Sequence, residues 1–270
     1  RLAIHLEVET GLGRGGVLPA GVASAVAAIR ASAGARFAGL WSHLATPEDA
    51  AIAGRQALRF GEAGGLLADA HVGLARRHLA ATGGILAATV PAFESVRPGL
   101  AVYGIVPGGF PIAPVAREGA AALRPAMSLH ARPVRVAELP AGTGIGYDAT
   151  FVTARPSRIA TLPLGYADGW TRSYSNRTSA IVRGRKVPLV GNVAMDAVMA
   201  DVTDVPGPPV GVDDEFVLLG AQGEAAIWAV ELAAVRASNP WEVVATISRR
   251  VARIYVRGGR PVELRGLLDR

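Results

Sequence analysis

The sequence predicts an α/β segment followed by a mainly β segment, and three observations carry that expectation. Short apolar runs alternate with longer Ala-rich stretches up to about residue 113. From about residue 125 the pattern changes to short β-type runs separated by Gly, Pro and Asp turns. Arg117–Arg124 is polar and Ala-rich and places the boundary, so residues 1–120 and 121–270 are expected to form two domains. Strand–helix alternation argues for βαβ units with parallel strands, whereas closely spaced short strands argue for a sandwich or barrel.

Taken in order, Leu2–Val8 reads as a strand, Pro19–Ala33 as a helix, Phe37–Ser42 as a strand and Asp49–Ala70 as mostly helix. His78–Thr82 is a third strand with a short helix near Ile85–Ala88, and Ser95–Gly99 a fourth, followed by Ala101–Ile105. The spacing is that of a (β/α)8 barrel of which about four units are present. Beyond the boundary, strands are expected at Val134–Leu139, Ile159–Pro163, Ser179–Val182, Lys186–Val190, Ala197–Val202 and Glu215–Leu219. Helical stretches near Ala226–Arg236 and Trp241–Ile247 and a strand near Arg253–Val256 complete the reading.

Half of the residues are hydrophobic, enough for a sizeable core. No apolar run reaches about 18 residues without a charge, so no membrane span is expected. No basic region precedes an apolar one at the start, so no signal peptide is read and a cytoplasmic location is expected. The chain opens on Arg1 rather than Met, and the natural N-terminus is expected upstream. There is no cysteine, which excludes disulfides and thiolate metal sites, and no metal site is expected. The net charge of +6 comes from scattered arginines rather than a basic cluster with interleaved aromatics. That distribution argues against a nucleic-acid partner.

Gly11-Leu12-Gly13-Arg14-Gly15-Gly16 satisfies G-x-G-x-x-G between a strand and a helix. A dinucleotide site also needs an acidic residue about 20 positions further on, at the end of the next strand. Here that strand ends in Trp41-Ser42-His43. The glycines are therefore read as a tight strand-to-helix turn. Arg97 in VRPGL, Thr82 and His43 each end a predicted strand on the face where parallel α/β folds bind ligands. Backbone N–H groups beyond Arg97 would suit a phosphate. Tyr147 in GIGYDATF and Tyr166 in LPLGYADGW are flanked by glycines, and each alone would be an ordinary turn residue.

As an ordered set, these segments resemble alanine racemase, a family that uses pyridoxal 5'-phosphate (PLP). VETGLGRGG is similar to the family's D-T-G-M-G-R-L-G, and WSHLAT to S-H-F-A-T. VRPGLAVYG, GIGYDAT, LPLGYADGW and VGNVAMD follow it nearly letter for letter, and ATISRRVAR is similar to T-I-S-Y-R-V-P-R. The resemblance runs the length of the chain. It implies the C-terminal half of a PLP-binding (β/α)8 barrel, strands five to eight, followed by the family's β domain. It also implies interconversion of L- and D-alanine, which supplies D-alanine for peptidoglycan, by a head-to-tail homodimer.

The resemblance assigns roles to residues as well. Tyr147 matches the base that takes the α-proton of the L-enantiomer, with His43 and Arg97 as its hydrogen-bonding support. Arg97 also faces the pyridine nitrogen. Thr82, Gly99, Leu100 and Arg249 match the phosphate site, with Thr82 in place of a serine and Arg249 in place of a tyrosine. Arg14 and the backbone N–H of Met195 match groups near the substrate carboxylate, and Tyr166 and Arg172 match the substrate access route. Glu7 stands where many members carry a carbamylated lysine, and it supplies the same negative charge permanently.

One element of the pattern is missing. The chain has a single lysine, Lys186, in RGRKVPLV, away from every cofactor motif. A PLP enzyme of this type needs a lysine for the Schiff base, and the family places it in a K-A-N-A-Y-G-H-G-like segment ending the first barrel strand. The expectation is therefore a racemase sequence that is inactive by itself. The alternatives are a non-catalytic racemase-like binding module, or a racemase acting on serine or a broader set of amino acids.

Overall fold

The computed structural model describes residues 1–69 and 76–268. The chain divides into two compact units, residues 1–124 and 125–270, which are described separately.

In the first unit, β1 (Leu2–Glu7), β2 (Ala35–Trp41) and β3 (Arg77–His78) form a parallel sheet in that order. Parallel neighbours need a crossover, and α1 (Val22–Ala31) and α2 (Ala50–Asp69) lie in the two intervals. Along α2, Ala53, Gln56, Phe60, Ala63 and Leu67 recur at three- and four-residue spacing and are all buried, which defines one core-facing stripe. Val22, Val26, Val8, Leu40, Leu44 and Leu79 complete that core. Gly39 permits the approach of β3, since a Cβ there would lie 2.1 Å from the Arg76 carbonyl oxygen.

Two expectations for this unit change. Thr82 does not end a strand; it opens α3 (Thr82–Ala87) after only two ladder residues. Ser95–Gly99 is not a strand either. Pairing is limited to one parallel bridge between Ala81 and Arg97, because Pro98 has no N–H to donate and disfavours a continued ladder. Gly99 opens the single turn α4 (Gly99–Val102), and α5 (Arg117–Ala122) follows. The expected helix end at Ala70 lies outside the described residues.

The second unit is built on an eight-stranded sheet. Its strands are β4 (Leu129–Ala131), β5 (Arg135–Leu139), β8 (Ser157–Leu162), β9 (Ser179–Val182), β10 (Arg185–Val190), β11 (Val198–Asp201), β12 (Phe216–Gln222) and β13 (Ala225–Ile227). Their order is β13-β12-β9-β10-β11-β8-β5, with β4 on β12. β6 (Gly144–Ile145) and β7 (Phe151–Val152) make a separate small hairpin that carries residue 147 in its loop. α6 (Ala229–Val235) and α7 (Pro240–Ala245) precede a hairpin of β14 (Arg253–Arg257) and β15 (Arg260–Arg265). The Ala-rich run expected to be helical from Ala226 instead begins as β13, where pairing with β12 outweighs helix propensity. The β14–β15 turn is Gly258-Gly259 with φ of 56° and 75°, which suits a two-residue hairpin loop. Among the described residues, no helix is long and apolar enough to cross a membrane.

Candidate active site

In the first unit two of the three polar residues expected at strand ends, Arg97 and His43, converge, while Thr82 does not touch them. The Arg97 guanidinium donates through Nη1 to the His78 carbonyl (2.7 Å) and His78 Nδ1 (2.8 Å). Through Nη2 it donates to the Ser42 carbonyl (2.6 Å), with the Leu79 carbonyl at 3.3 Å and His43 Nδ1 at 3.2 Å. Trp41 stacks on His78 and presents its ring to Arg97, 4.9 Å from the guanidinium carbon. The arginine is thus fixed at the C-terminal ends of β2 and β3. Among the described residues, no acceptor takes its Nε–H.

Arginine can only donate, so His78 must accept at Nδ1 and carry its proton at Nε2. From there it donates to His5 Nδ1 at 2.9 Å. Burial, then the Arg97 charge, then His5 push the His78 pKa down to about 4, which keeps the ring neutral. His43 is lowered by burial, then by Arg97 and Arg14, with Glu7 opposing. Its place depends on Gln56, which donates to the His43 carbonyl (3.0 Å) and to Thr10 Oγ1 (3.1 Å) and accepts from Ala45 N–H (2.9 Å). His78, His5 and Gln56 are not legible as site residues in the sequence, because a lone histidine or glutamine carries no local signal.

The glycine segment is a loop closed by pairing of Val8 with Val17. The Glu9 carboxylate accepts from Gly13 N–H (2.8 Å) and from Gly11 N–H. Those two N–H groups are already taken by a protein carboxylate. The exposed Arg14 leaves this loop toward Glu7, with Nη2 3.5 Å from Oε1. Buried Thr82 accepts from the Ala101 N–H at 3.2 Å, so the first turns of α3 and α4 meet. Gly99 and Leu100 lie in that meeting point. The Gly99 N–H is already taken by the Arg97 carbonyl (2.8 Å) and the Ala101 N–H by Thr82, so the donor of this turn left for an anion is that of Leu100, and a heteroaromatic nitrogen would suit the open Nε–H of Arg97.

In the second unit the segment Gly191–Asp196 is the hub. Asn192 Nδ2 donates to the Tyr147 carbonyl and to Asp148 Oδ2, each at 3.0 Å. Asp148 also faces Arg172 at 3.6 Å. Val193 N–H donates to Ser175 Oγ (2.9 Å). The carbonyls of Ala194 and Met195 accept from Tyr166 N–H (3.0 Å) and Ala167 N–H (2.9 Å). Among the described residues, no acceptor takes the Met195 N–H. Tyr147, Tyr166 and Met195 point outward, 68%, 45% and 57% exposed. Arg249 is exposed beside Arg250, whose Nε lies 2.9 Å from buried Asp168 Oδ1. Lys186, on β10, faces Glu231 at 3.3 Å and joins none of these groups.

Asn192, Asp148 and Asp168 sit inside the motifs already quoted, so their positions were visible while their contacts were not. His43, Arg97, Thr82, Gly99, Leu100 and Arg14 belong to the first unit. Tyr147, Tyr166, Arg172, Met195 and Arg249 belong to the second.

Comparison with known proteins accounts for this division. Residues 1–107 match the family described as alanine racemase, N-terminal domain, and residues 126–255 match alanine racemase, C-terminal domain. The chain is 38% identical over 268 residues to alanine racemase 2 of Caldanaerobacter subterraneus subsp. tengcongensis, covering 98% of this chain and 67% of that protein. It is 40% identical over 254 residues to the alanine racemase of Symbiobacterium thermophilum, covering 93% and 65%. The crystal structure of the Bacillus anthracis alanine racemase with bound L-Ala-P superposes with a TM-score of 0.84 at 30% identity, covering 98% of this chain and 67% of that one. The chain therefore spans about two thirds of the length of its curated relatives, and it belongs to the alanine racemase family.

Proposed function

We propose that the full-length protein carrying this chain is a PLP-dependent isomerase that interconverts L- and D-alanine and so supplies D-alanine for peptidoglycan. The observation that carries this reading is Arg97, fixed through both terminal nitrogens and left with an Nε–H for an acceptor. PLP, when bound, supplies an electron sink that makes the α C–H of an amino acid acidic. The residues present fit the cofactor. Arg97 Nε–H would meet the pyridine nitrogen, and guanidinium does not give up its proton, so that nitrogen stays unprotonated. Thr82, Gly99 and Leu100, where two helix starts meet, would hold the phosphate, with Arg249 as a further cationic contact. On this reading, β1–β3 with their crossover helices and the Ala81–Arg97 bridge are part of a (β/α)8 barrel.

The Tyr147 oxygen, as phenolate, takes the α-proton from the face of the L-enantiomer and, as the hydroxyl so formed, returns it, with His43 and Arg97 in support. The Met195 N–H and Arg14 bind the substrate carboxylate. Glu7 sets the charge balance at Arg14. Tyr166 and Arg172 border the access route. The outward exposure of Tyr147, Tyr166 and Met195 supports a site completed by a second copy, with barrel and β domain paired head to tail in a homodimer. The substrate is a small amino acid, and a cytoplasmic location accords with that role.

Incubation of the full-length protein with PLP and L-alanine tests the reading. Circular dichroism should follow loss of optical activity to an equal mixture of enantiomers. A protein that takes up PLP yet leaves L-alanine unchanged would reject it.

A further inference from the structure

We propose that Asp168 and Arg250 act as positioning residues that lock the segments bearing Tyr166, Met195 and Arg249 into one surface; the inference rests on the racemase reading of those three residues. The Asp168 carboxylate is 8% exposed and is fully engaged. Oδ1 receives Arg250 Nε at 2.9 Å, Oδ2 accepts the Gly165 N–H at 2.9 Å, and the Asp168 carbonyl accepts the Ser248 N–H at 2.9 Å. One residue therefore ties the turn that starts at Gly165 to the segment that carries Arg249.

That turn is wedged between two other chain segments. A Cβ on Gly165 would fall 2.3 Å from the Ala194 carbonyl oxygen and 2.5 Å from the Asp196 nitrogen. A Cβ on Gly169, at φ +98°, would fall 2.3 Å from the Thr246 carbonyl oxygen. On one side, Tyr166 and Ala167 donate to the carbonyls of Ala194 and Met195. On the other, the Arg253 guanidinium holds the carbonyls of Ile247 (3.0 Å), Ser248 (3.2 Å) and Val251 (3.3 Å), so the turn containing Arg249 is pinned from both ends.

A buried carboxylate is tolerated only while its partners remain. Removing the charge at residue 168 frees Arg250 and loosens the contact between the Tyr166 turn and the Arg249 turn. Ordinary stabilisation would change the unfolding midpoint alone. Positioning changes how well the substrate-facing groups are held, and so changes KM.

The experiment uses the full-length protein and the variants Asp168→Asn, Arg250→Gln and their combination. KM for L-alanine should rise about tenfold in each single variant, the scale of one lost charged hydrogen bond, while kcat changes less. The double variant should be no worse than either single one, because the residues act as a pair. Arg250→Lys should recover part of the loss. Hydrogen exchange gives a readout independent of activity. The amides of Tyr166, Ala167 and Ser248 should exchange faster in Asp168→Asn, while those of β8 and β11 keep wild-type rates. Unchanged KM in both single variants, additive losses, or exchange accelerated uniformly through the second unit would overturn the proposal. Should wild-type protein not racemise alanine, the racemase reading fails, and the exchange data still decide whether Asp168 couples the segments.

Discussion

His78 and His5 share one proton across 2.9 Å, and the direction of sharing is set by Arg97, which occupies Nδ1 of His78 as a donor. The pair joins β1 to β3 across the face of β2. It places the neutral ring of His78 under the guanidinium proposed to meet the cofactor nitrogen.

His78 makes the stability of the first unit pH-dependent. Its pKa falls from 6.5 to about 4 on folding. Between these values the unfolded chain binds a proton that the native ring does not, so stability rises with pH in that window. The stabilisation is complete above 6.5 and is lost as pH falls through about 4. Urea unfolding followed by the fluorescence of Trp41, the one tryptophan of residues 1–124, should show this slope. His78→Gln should flatten it; an unchanged slope would show that another group is responsible.

Lys186 should be dispensable. It forms an exposed pair with Glu231, which is worth about 0–1 kcal/mol. We infer that these 270 residues alone do not racemise alanine, and that Lys186→Ala in the full-length protein leaves kcat unchanged. PLP-dependent turnover by the isolated chain, abolished by Lys186→Ala, would contradict both statements.

Tyr147→Phe in the full-length protein should lower racemisation by about 10²–10⁴-fold in both directions, the usual contribution of general base catalysis. Proton exchange with solvent need not fall equally. In D₂O, D-alanine should still exchange its α-hydrogen while L-alanine nearly stops. Equal loss for both enantiomers would remove Tyr147 as a face-specific base.

Asn192 is 8% exposed and spans the Tyr147 carbonyl and Asp148. Asn192→Ala removes the donor to the Tyr147 carbonyl and leaves Asp148 only Arg172 and solvent, and should cost about 1 kcal/mol in unfolding free energy. Racemisation should fall as well, but not in a Tyr147→Phe background, where the positioned hydroxyl is already gone. Additive losses in the double variant would separate the two residues.

If the site is shared between subunits, two inactive full-length proteins should complement one another. One would lack its cofactor-binding lysine and the other would carry Tyr147→Phe. A hybrid dimer keeps one site with both bases, so mixing and refolding should restore part of the activity. Verified hybrids without activity would place the whole site in one subunit.

Local sequence determined the change from βα grammar to closely spaced β-strands, and the ordered motifs around Arg97, Tyr147, Tyr166 and Met195. These features are legible because periodicity, turn residues and short glycine-flanked runs act over a few positions. Local pattern also misled where tertiary pairing competes with it. Ala225–Ile227 joined β12 against helix propensity, and Pro98 stopped a fourth strand after one bridge. Tertiary structure alone decided that His5 meets His78, that Asn192 reaches back to Tyr147, and that Asp168 receives Arg250. Each of these contacts joins segments far apart in the chain. A single polar residue has no preferred partner until the core of Leu40, Phe60 and Leu67, or the buried strands β9 and β12, brings its segment into place and removes competing water.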